Sequence, residues 1–155
     1  EWIRRMAPNA IVFVCANPNP EIWPWDATEC GATVVATGRG DFPNQLNNSI
    51  VFPAMFRGVL DVRASTISNG MAITAAREIA AFAEERGINP ENILPRMDEP
   101  DLVPRISAVV GAKAQEEGLA RIRKTPEELY AAAAHSVKES RRALEVLMRE
   151  QIIRT

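Results

Sequence analysis

The fold is decided by residues 32–49, whose sequence is ATVVATGRGDFPNQLNNS. The first six of these residues are mostly apolar or β-branched, which is typical of a strand buried on both faces of a parallel sheet. A similar run from Ile11 to Ala16 comes earlier, and a helix-compatible segment from Trp25 to Cys30 lies between the two runs. Two such strands joined by a helix predict a right-handed βαβ unit. The sequence therefore predicts an α/β fold with a parallel sheet.

Asparagines follow both predicted strands. Asn17 comes directly after the first strand, and Asn47 and Asn48 end the loop after the second, just before an amphipathic helix. Ligands of open parallel sheets bind beyond the carboxyl ends of the strands. A side-chain amide can orient a carboxylate or hydroxyl without adding charge, and the free N–H groups at a helix start favour an anion. We predict a site for a small carboxylate ligand; the alternative is that one asparagine only caps the helix.

Helical patterns occupy most of the chain after residue 50. The first pattern predicts a helix packed by one apolar face, and it consists of Phe52, Met55, Phe56, Val59 and Leu60. A second pattern runs from Met71 to Arg86 and ends at Gly87, which is typical of a helix cap. Residues 88–104 are rich in proline and predict a loop.

Two helices are predicted after that loop. One begins at Pro104 and ends near Gly118. The last begins with the capping box Thr125-Pro126-Glu127-Glu128, in which a threonine and a glutamate satisfy each other's backbone N–H groups, and it continues to about Ile152. Because this helix is longer than the average in globular proteins, we expect it to pack across a domain or subunit boundary.

Composition argues against several kinds of partner. The chain has 18 basic and 20 acidic residues and a formal net charge of −2, so no surface for nucleic acid or a membrane is predicted. It has no apolar stretch long enough to span a bilayer and no secretory signal, which predicts a cytoplasmic protein with Cys15 and Cys30 as buried free thiols. Since the chain begins at Glu1 rather than Met, we expect it to be an internal part of a longer protein.

Several other side chains have structural interpretations. Arg57 and Asp61 are four residues apart on a predicted helix, which is typical of a surface ion pair, and a role in the site is the open alternative. Tyr130 and His135, each the only residue of its kind, lie in the last helix, where packing or surface positions are expected. Tryptophans at 2, 23 and 25 are expected to cover a sheet edge or an interface.

The loop after the second strand contains two misleading motifs. Its Gly38-Arg39-Gly40 starts like a dinucleotide-binding turn, but Pro43 stands where a glycine is needed, so no phosphate-binding loop is predicted. Its Arg39-Gly40-Asp41 matches a cell-adhesion tripeptide, which we interpret as chance because nothing predicts export.

Three segments together resemble a known family. They are VFVCANPNPEI at 12–22, ATGRGDFPNQLNNSIVFP at 36–53 and FRGVLDVRA at 56–64, and they closely resemble the C-terminal part of prokaryotic malic enzymes in order, spacing and composition. The resemblance continues at Pro104-Arg105-Ile106 and at Gly118-Leu119-Ala120-Arg121. It implies a partial Rossmann-like sheet. Residues 1–101 would be the distal part of an NAD(P)-binding domain, and residues 102–155 C-terminal helices that pack on that domain or at a subunit interface.

The resemblance also implies an activity. Malic enzymes oxidise malate with NAD or NADP, decarboxylate the metal-bound oxaloacetate and release pyruvate. By this resemblance Asn17 and Asn48 would contact the substrate and lie near the cofactor, with Asn17 close to the nicotinamide ribose, and Asn47 would support the turn and bind substrate with them. The family's glycine-rich turn, its catalytic Tyr and Lys and its ligands for Mg²⁺ or Mn²⁺ would lie upstream of this chain.

Partners and alternatives follow from the same resemblance. The implied partners are malate or pyruvate, the rest of the malic enzyme polypeptide, and a second copy in a homodimer or larger oligomer. A malolactic-type enzyme and a non-catalytic assembly module are the alternatives. Gly40 and Ala54 depart from the family's common Ser and Gly without removing a polar group.

Overall fold

A computed structural model describes residues 1–153 of the chain. It divides into two compact units, the first formed by Glu1–Ile50 and Ile79–Met97 and the second by Val51–Glu78 and Asp98–Thr155. The division at residues 101 and 102 stays a prediction, and its second part includes Arg154 and Thr155, which lie outside the described residues.

The first unit contains a parallel pair of strands joined by a helix. Strand β1 (Ala10–Val14) pairs with β2 (Ala32–Thr37), and helix α1 (Pro24–Glu29) lies between them in sequence and packs on β2. Single 3₁₀ turns occur at Ile3–Arg5 and Asn48–Ile50. The predicted α/β class and the strand–helix–strand order are confirmed.

One face of β1 is exposed. Ile11 and Phe13 point to the same side because strand residues alternate, and they are 59% and 51% exposed. Cys15 continues this alternation and is also exposed, and Cys30 is half-buried. The predictions of a strand buried on both faces and of buried thiols are therefore wrong here. A run of apolar residues predicts a strand, but it does not indicate whether another element covers each face of that strand.

The second unit consists of packed helices. They are α2 (Phe52–Asp61), α4 (Leu102–Glu116) and α5 (Pro126–Arg149), and α4 packs against both of the others. Helix α3 (Asn69–Glu85) contributes its residues up to Glu78 to this unit and the remainder to the first.

The buried side of helix α2 includes its small residues, and several of its large apolar residues are exposed. Ala54 and Gly58 lie on the buried side with Met55 and Val59, whereas three of the five predicted core residues are 42–65% exposed: Phe52, Phe56 and Leu60. The predicted packing face is thus wrong for those three side chains. The small residues let the backbone of α2 approach α4 closely, and the larger residues occupy the opposite side.

Helix α5 begins as the sequence predicts. The Thr125 hydroxyl accepts a hydrogen bond from the Glu128 N–H at 3.2 Å, and the Glu128 carboxylate accepts one from the Thr125 N–H at 2.8 Å, which confirms the capping box. Leu129 and Ala133 are buried, but the helix is exposed from Lys138 to its end at Arg149. Contact of this exposed part with a partner stays a prediction.

Candidate functional site

Two loops at the carboxyl ends of the strands line an open cavity. We call residues 15–20 the β1 loop and residues 38–49 the site loop. The cavity has a volume of about 400 Å³, within the range of small-ligand sites, and is lined by Asn17, Pro18, Gly38, Arg39, Gly40, Asp41, Gln45 and Asn47. This position agrees with the predicted placement of the site beyond the strand ends.

Backbone hydrogen bonds hold the start of both loops against the sheet. The Gly38 N–H donates to the Val14 carbonyl at 3.3 Å, which continues the strand pairing by one residue. A side chain at Gly38 would begin only 3.1 Å from the carbonyl oxygen of Cys15. The Leu46 N–H donates a hydrogen bond to the Thr37 carbonyl at 2.7 Å, which closes the site loop into a compact turn.

Asn44 ties the site loop to the rest of the first unit. It is only 6% exposed and has a left-handed backbone with φ of 55°, a conformation that Asn tolerates better than most residues. Its amide nitrogen donates to the carbonyls of Val35 at 3.1 Å and Pro90 at 2.7 Å, and its oxygen accepts from the Ile93 N–H at 2.8 Å. The amide thereby fixes the loop against both β2 and the segment 90–93.

Asn47 supports the turn that precedes α2. Its side-chain oxygen accepts from the Ser49 N–H at 3.0 Å, and its amide nitrogen donates to the Gly38 carbonyl at 3.1 Å. It therefore caps the 3₁₀ turn Asn48–Ile50 and joins the two ends of the site loop. The capping alternative considered from the sequence applies to this asparagine, although the capped element is the 3₁₀ turn rather than α2, whose N-cap Val51 has no side-chain cap bond.

Asn17 and Asn48 have amides that are free to bind a ligand. Both residues are exposed, and neither side chain makes a hydrogen bond within residues 1–153. Asn17 lines the cavity, whereas Asn48 is absent from the lining formed by the described residues. The structure therefore brings Asn17 and Asn47 to one cavity. Asn48, the residue after Asn47, is exposed and does not line the cavity formed by the described residues.

An arginine–aspartate pair with aromatic neighbours was missed by sequence reasoning. The Arg39 Nε and a terminal nitrogen donate to the two Asp41 carboxylate oxygens at 2.8 and 2.7 Å, and its other terminal nitrogen donates to the Pro18 carbonyl at 2.9 Å. Trp23 and Phe42 lie 5.5 and 5.6 Å from the guanidinium carbon. The hydrogen bond from Arg39 holds the pKa of Asp41 below its ordinary value. Spacing of two residues between opposite charges is the signal that could have found this pair.

The remaining candidates make local structural contacts. Arg57 forms an ion pair with Asp61, with Nε 2.8 Å from Oδ2, which confirms the predicted pairing. The expectation of a surface pair is wrong for Asp61, because its side chain is buried. The Tyr130 hydroxyl donates to Asp101 at 3.2 Å, and burial together with that carboxylate raises the pKa of the phenol. His135 is exposed on α5.

The described residues do not fit a divalent metal ion. Within residues 1–153 there is no group of three His, Cys, Asp or Glu side chains placed to hold one. Of the described residues that line the cavity, Asp41 alone has a carboxylate, and it is already paired with Arg39. No step of the chemistry can therefore be assigned to a metal held by these residues.

None of the helices in the described part of the chain combines the length and the apolar character needed to cross a membrane.

Comparisons with known proteins agree on one family. Residues 27–117 match the family described as malic enzyme, NAD binding domain. A bifunctional malic/malolactic enzyme of Bacillus subtilis (strain 168) is 46% identical over 129 residues, covering 83% of this chain and 32% of the relative. An NADP-dependent malic enzyme of Rhizobium meliloti (strain 1021) is 41% identical over 136 residues, covering 78% and 18%.

A solved structure shows the same fold. The crystal structure of Entamoeba histolytica malic enzyme superposes with a TM-score of 0.96 at 50% sequence identity, and the match covers 98% of this chain and 32% of that one. The chain thus spans about a third or less of the length of these proteins.

Proposed function

The chain belongs to the malic enzyme family, and from that premise we propose that it forms part of a longer enzyme that converts malate to pyruvate and CO₂ with reduction of NAD or NADP. The family predicted from the sequence is confirmed. The proposal for the site is carried by one observation, which is the unpaired amide of Asn17 at the edge of a cavity of about 400 Å³ beyond the strand ends.

The chemistry of malate suits these side chains. Malate has two carboxylates and one hydroxyl, and neutral amides can bind all three without withdrawing charge from a metal or a catalytic base. We propose that Asn17 and Asn48 bind the substrate directly. Asn47, whose amide is already hydrogen-bonded to Gly38 and Ser49, contributes by fixing the turn beside them and through the face it presents to the cavity.

The cofactor fits this chain in part. Bound NAD or NADP accepts the hydride from the substrate, so its nicotinamide end must lie next to malate. The free amides of Asn17 and Asn48 suit the hydroxyls of the nicotinamide ribose, with Asn17 the nearer. In this proposal, sequence outside the chain provides the residues that bind the pyrophosphate of the cofactor, the acid–base residues and the ligands of Mg²⁺ or Mn²⁺.

Lactate release is the second candidate. The Bacillus subtilis relative is named a bifunctional malic/malolactic enzyme, so a relative of this chain is named for both reactions. Product analysis separates the two reactions, because pyruvate with net cofactor reduction indicates the malic reaction and lactate without it indicates the malolactic one.

We also propose that the intact protein is cytoplasmic and forms a homodimer or larger oligomer. The exposed end of α5, with Leu144 and Leu147 at 50% and 37% exposure, supports an interface there, together with Ile152 at 68% exposure just beyond the helix. Light scattering of the intact enzyme checks this, and a strict monomer would contradict it.

Substitution of the free asparagines tests the site in the full-length enzyme. A charge-assisted hydrogen bond to a carboxylate contributes about 1.5–3 kcal/mol, so we expect Asn48→Ala and Asn17→Ala each to lower kcat/KM for malate by about one to two decades. Steady-state rates of cofactor reduction measure the effect.

The matched control for Asn17→Ala is Asn19→Ala, because Asn19 is exposed in the same β1 loop as Asn17 but, unlike Asn17, does not line the cavity. It should change kcat/KM by less than about twofold. Equal kinetics for all three variants and the unsubstituted enzyme would remove the asparagines from the site while leaving the family assignment intact.

A further inference from the structure

We propose that Arg39 is a positioning residue that joins the site loop to the β1 loop and thereby holds the Asn17 amide at the cavity. The proposal rests on the proposed function for the role of Asn17. Arg39 itself is assigned no contact with substrate. Its three hydrogen bonds have lengths of 2.7–2.9 Å and reach two different segments of the chain, Asp41 in the site loop and Pro18 in the β1 loop.

The bond from Arg39 to Pro18 is the side-chain connection between the two loops. Among the described residues, no other side-chain hydrogen bond joins residues 38–49 to residues 15–20. The remaining link is the backbone bond from Gly38 to Val14, which holds only the root of the β1 loop. Within the β1 loop, the Ala16 N–H donates to Glu21 at 3.2 Å. Further along this loop, Arg39 of the site loop holds the Pro18 carbonyl.

Asn17 depends on its backbone for orientation. Its side chain makes no hydrogen bond within residues 1–153, so the direction of the amide is determined by the position of the peptide unit that carries it. Because Pro18 is the next residue, a fixed Pro18 carbonyl fixes the backbone beside Asn17. Placement errors of about 1 Å can reduce rates by about a hundredfold, so this contact has a kinetic consequence.

The guanidinium is itself held rigid on several sides. Asp41 binds it through two parallel hydrogen bonds, which is the geometry that arginine forms and lysine does not. Trp23 and Phe42 contact its face, and Trp23 is stacked on Trp25 with ring centres 5.0 Å apart. The Arg39 side chain is 29% exposed. A guanidinium oriented by a carboxylate and aromatic rings can present a third N–H to Pro18 at little further entropic cost.

The same contacts argue against Arg39 as a direct ligand of malate. Its charge is compensated by Asp41, and all three of its nitrogens already donate, two of them to Asp41 and one to the Pro18 carbonyl. An aspartate is ionised at neutral pH, and the hydrogen bond from Arg39 lowers the pKa of Asp41 further, so the pair is intact there. The pair weakens only as the pH falls through that lowered pKa.

A double-mutant cycle in the full-length enzyme tests the inference. Arg39→Met should lower kcat/KM for malate by about tenfold in the unsubstituted enzyme, and by less than about twofold when Asn17→Ala is already present. Arg39→Lys should not restore the rate, because lysine cannot form the fork to Asp41 and the bond to Pro18 together. If Arg39→Met instead lowered kcat/KM by the same factor with and without Asn17→Ala, Arg39 would act independently of Asn17, as a direct ligand or through a general structural role. That result would overturn the inference.

Hydrogen exchange supplies a measurement that is independent of activity. In Arg39→Met, exchange of the Ala16 amide, which is hydrogen-bonded to Glu21 at the start of the β1 loop, should be about tenfold faster, whereas the control Arg4→Met should leave it unchanged. Arg4 is an exposed arginine without a hydrogen bond among the described residues. Unchanged exchange in Arg39→Met overturns the inference whether or not the enzyme turns over malate, and lack of turnover with the expected exchange contradicts only the proposed function.

Discussion

The site loop and the α2–α4 contact achieve close backbone approach by opposite means. In the site loop, the Asn44 amide donates to backbone carbonyls of two other segments, and the Asn47 amide donates to the Gly38 carbonyl at the other end of the same loop. Hydrogen bonds thus hold this region together. Between α2 and α4, a glycine makes room instead. A side chain at Gly58 would begin 2.6 Å from the Ser107 carbonyl oxygen and 2.9 Å from Val110.

The difference predicts which substitutions each region tolerates. Hydrogen bonds depend on which atoms donate and accept, so a change of chemistry at constant volume should damage the site loop. Helix contacts depend on the space available, so a change of volume at constant chemistry should damage the α2–α4 contact. A loop whose structure depends on the placement of hydrogen-bond donors and acceptors is also suited to present polar groups to a ligand.

The largest effect is expected for Asn44→Asp, which keeps the volume and changes two donors into acceptors. The new carboxylate would face the carbonyl oxygens of Val35 and Pro90, which Asn44 now approaches to 3.1 and 2.7 Å. Leaving two part-buried carbonyls without their donor and burying a charge at position 44 should destabilise the first unit by about 3 kcal/mol. Native-state hydrogen exchange of the amides in the site loop of the full-length enzyme measures the loss.

Asn9→Asp is the matched control for that change. Asn9 has a left-handed backbone like Asn44, with φ of 61° against 55°, but it is exposed and makes no side-chain hydrogen bond within the described residues. Its substitution should change stability by less than about 0.5 kcal/mol. Similar losses for both variants would mean that the backbone conformation, and not the hydrogen bonds, determines the need for asparagine.

A smaller effect is expected for Gly58→Ala, which adds one methyl group to the α2–α4 contact. Alanine normally stabilises a helix by up to about 1 kcal/mol relative to glycine, so a net loss would isolate the cost of the contact. Because the neighbouring atom is a backbone carbonyl that cannot rotate away, we expect a net destabilisation of about 2 kcal/mol. The midpoint of thermal unfolding of the intact enzyme measures it.

Gly70→Ala serves as the control for crowding against movable atoms. A side chain at Gly70 would meet the carboxylate of Glu117 and the Lys113 side chain, whose flexible ends can turn aside at the cost of one exposed hydrogen bond, from the Ser68 hydroxyl to Glu117. This substitution should leave the unfolding midpoint nearly unchanged. If Gly58→Ala proved equally harmless, α2 and α4 would have to be separable without cost, and the comparison of the two regions would fail.

Local signals in the sequence were sufficient for much of the fold. The capping box at Thr125 and the two apolar strands were predicted because each depends on residues close together in the chain. The positions of Asn17 and the site loop at the strand ends follow from the same pattern. The roles of Asn17, Asn47 and Asn48 in binding stay predictions.

The errors and omissions concern contacts between distant residues. Asn44 could not be distinguished from its neighbours, since its bond to Pro90 spans 46 residues. Periodicity also cannot tell which side of α2 is packed, because a helix can bury a glycine where close approach is needed and expose phenylalanine elsewhere. The Arg39-Gly40-Asp41 segment was treated as a chance motif, although its two charges pair within the site loop.

The smallest effects test whether volume also matters inside the site loop. At Gly38, a new side chain would begin 3.1 Å from the backbone carbonyl of Cys15, whereas at Gly40 it would begin 3.0 Å from the movable amide of Gln45. We expect Gly38→Ala to destabilise the first unit by about 1 kcal/mol and Gly40→Ala by less than about 0.5 kcal/mol, as measured by exchange of the site-loop amides. The reason is that a side chain can turn away at little cost, while a shift of Cys15 would also move the start of the β1 loop. A larger loss at Gly40 than at Gly38 would show that Gln45 is itself held in place, and the site loop would then be sensitive to volume as well as to chemistry.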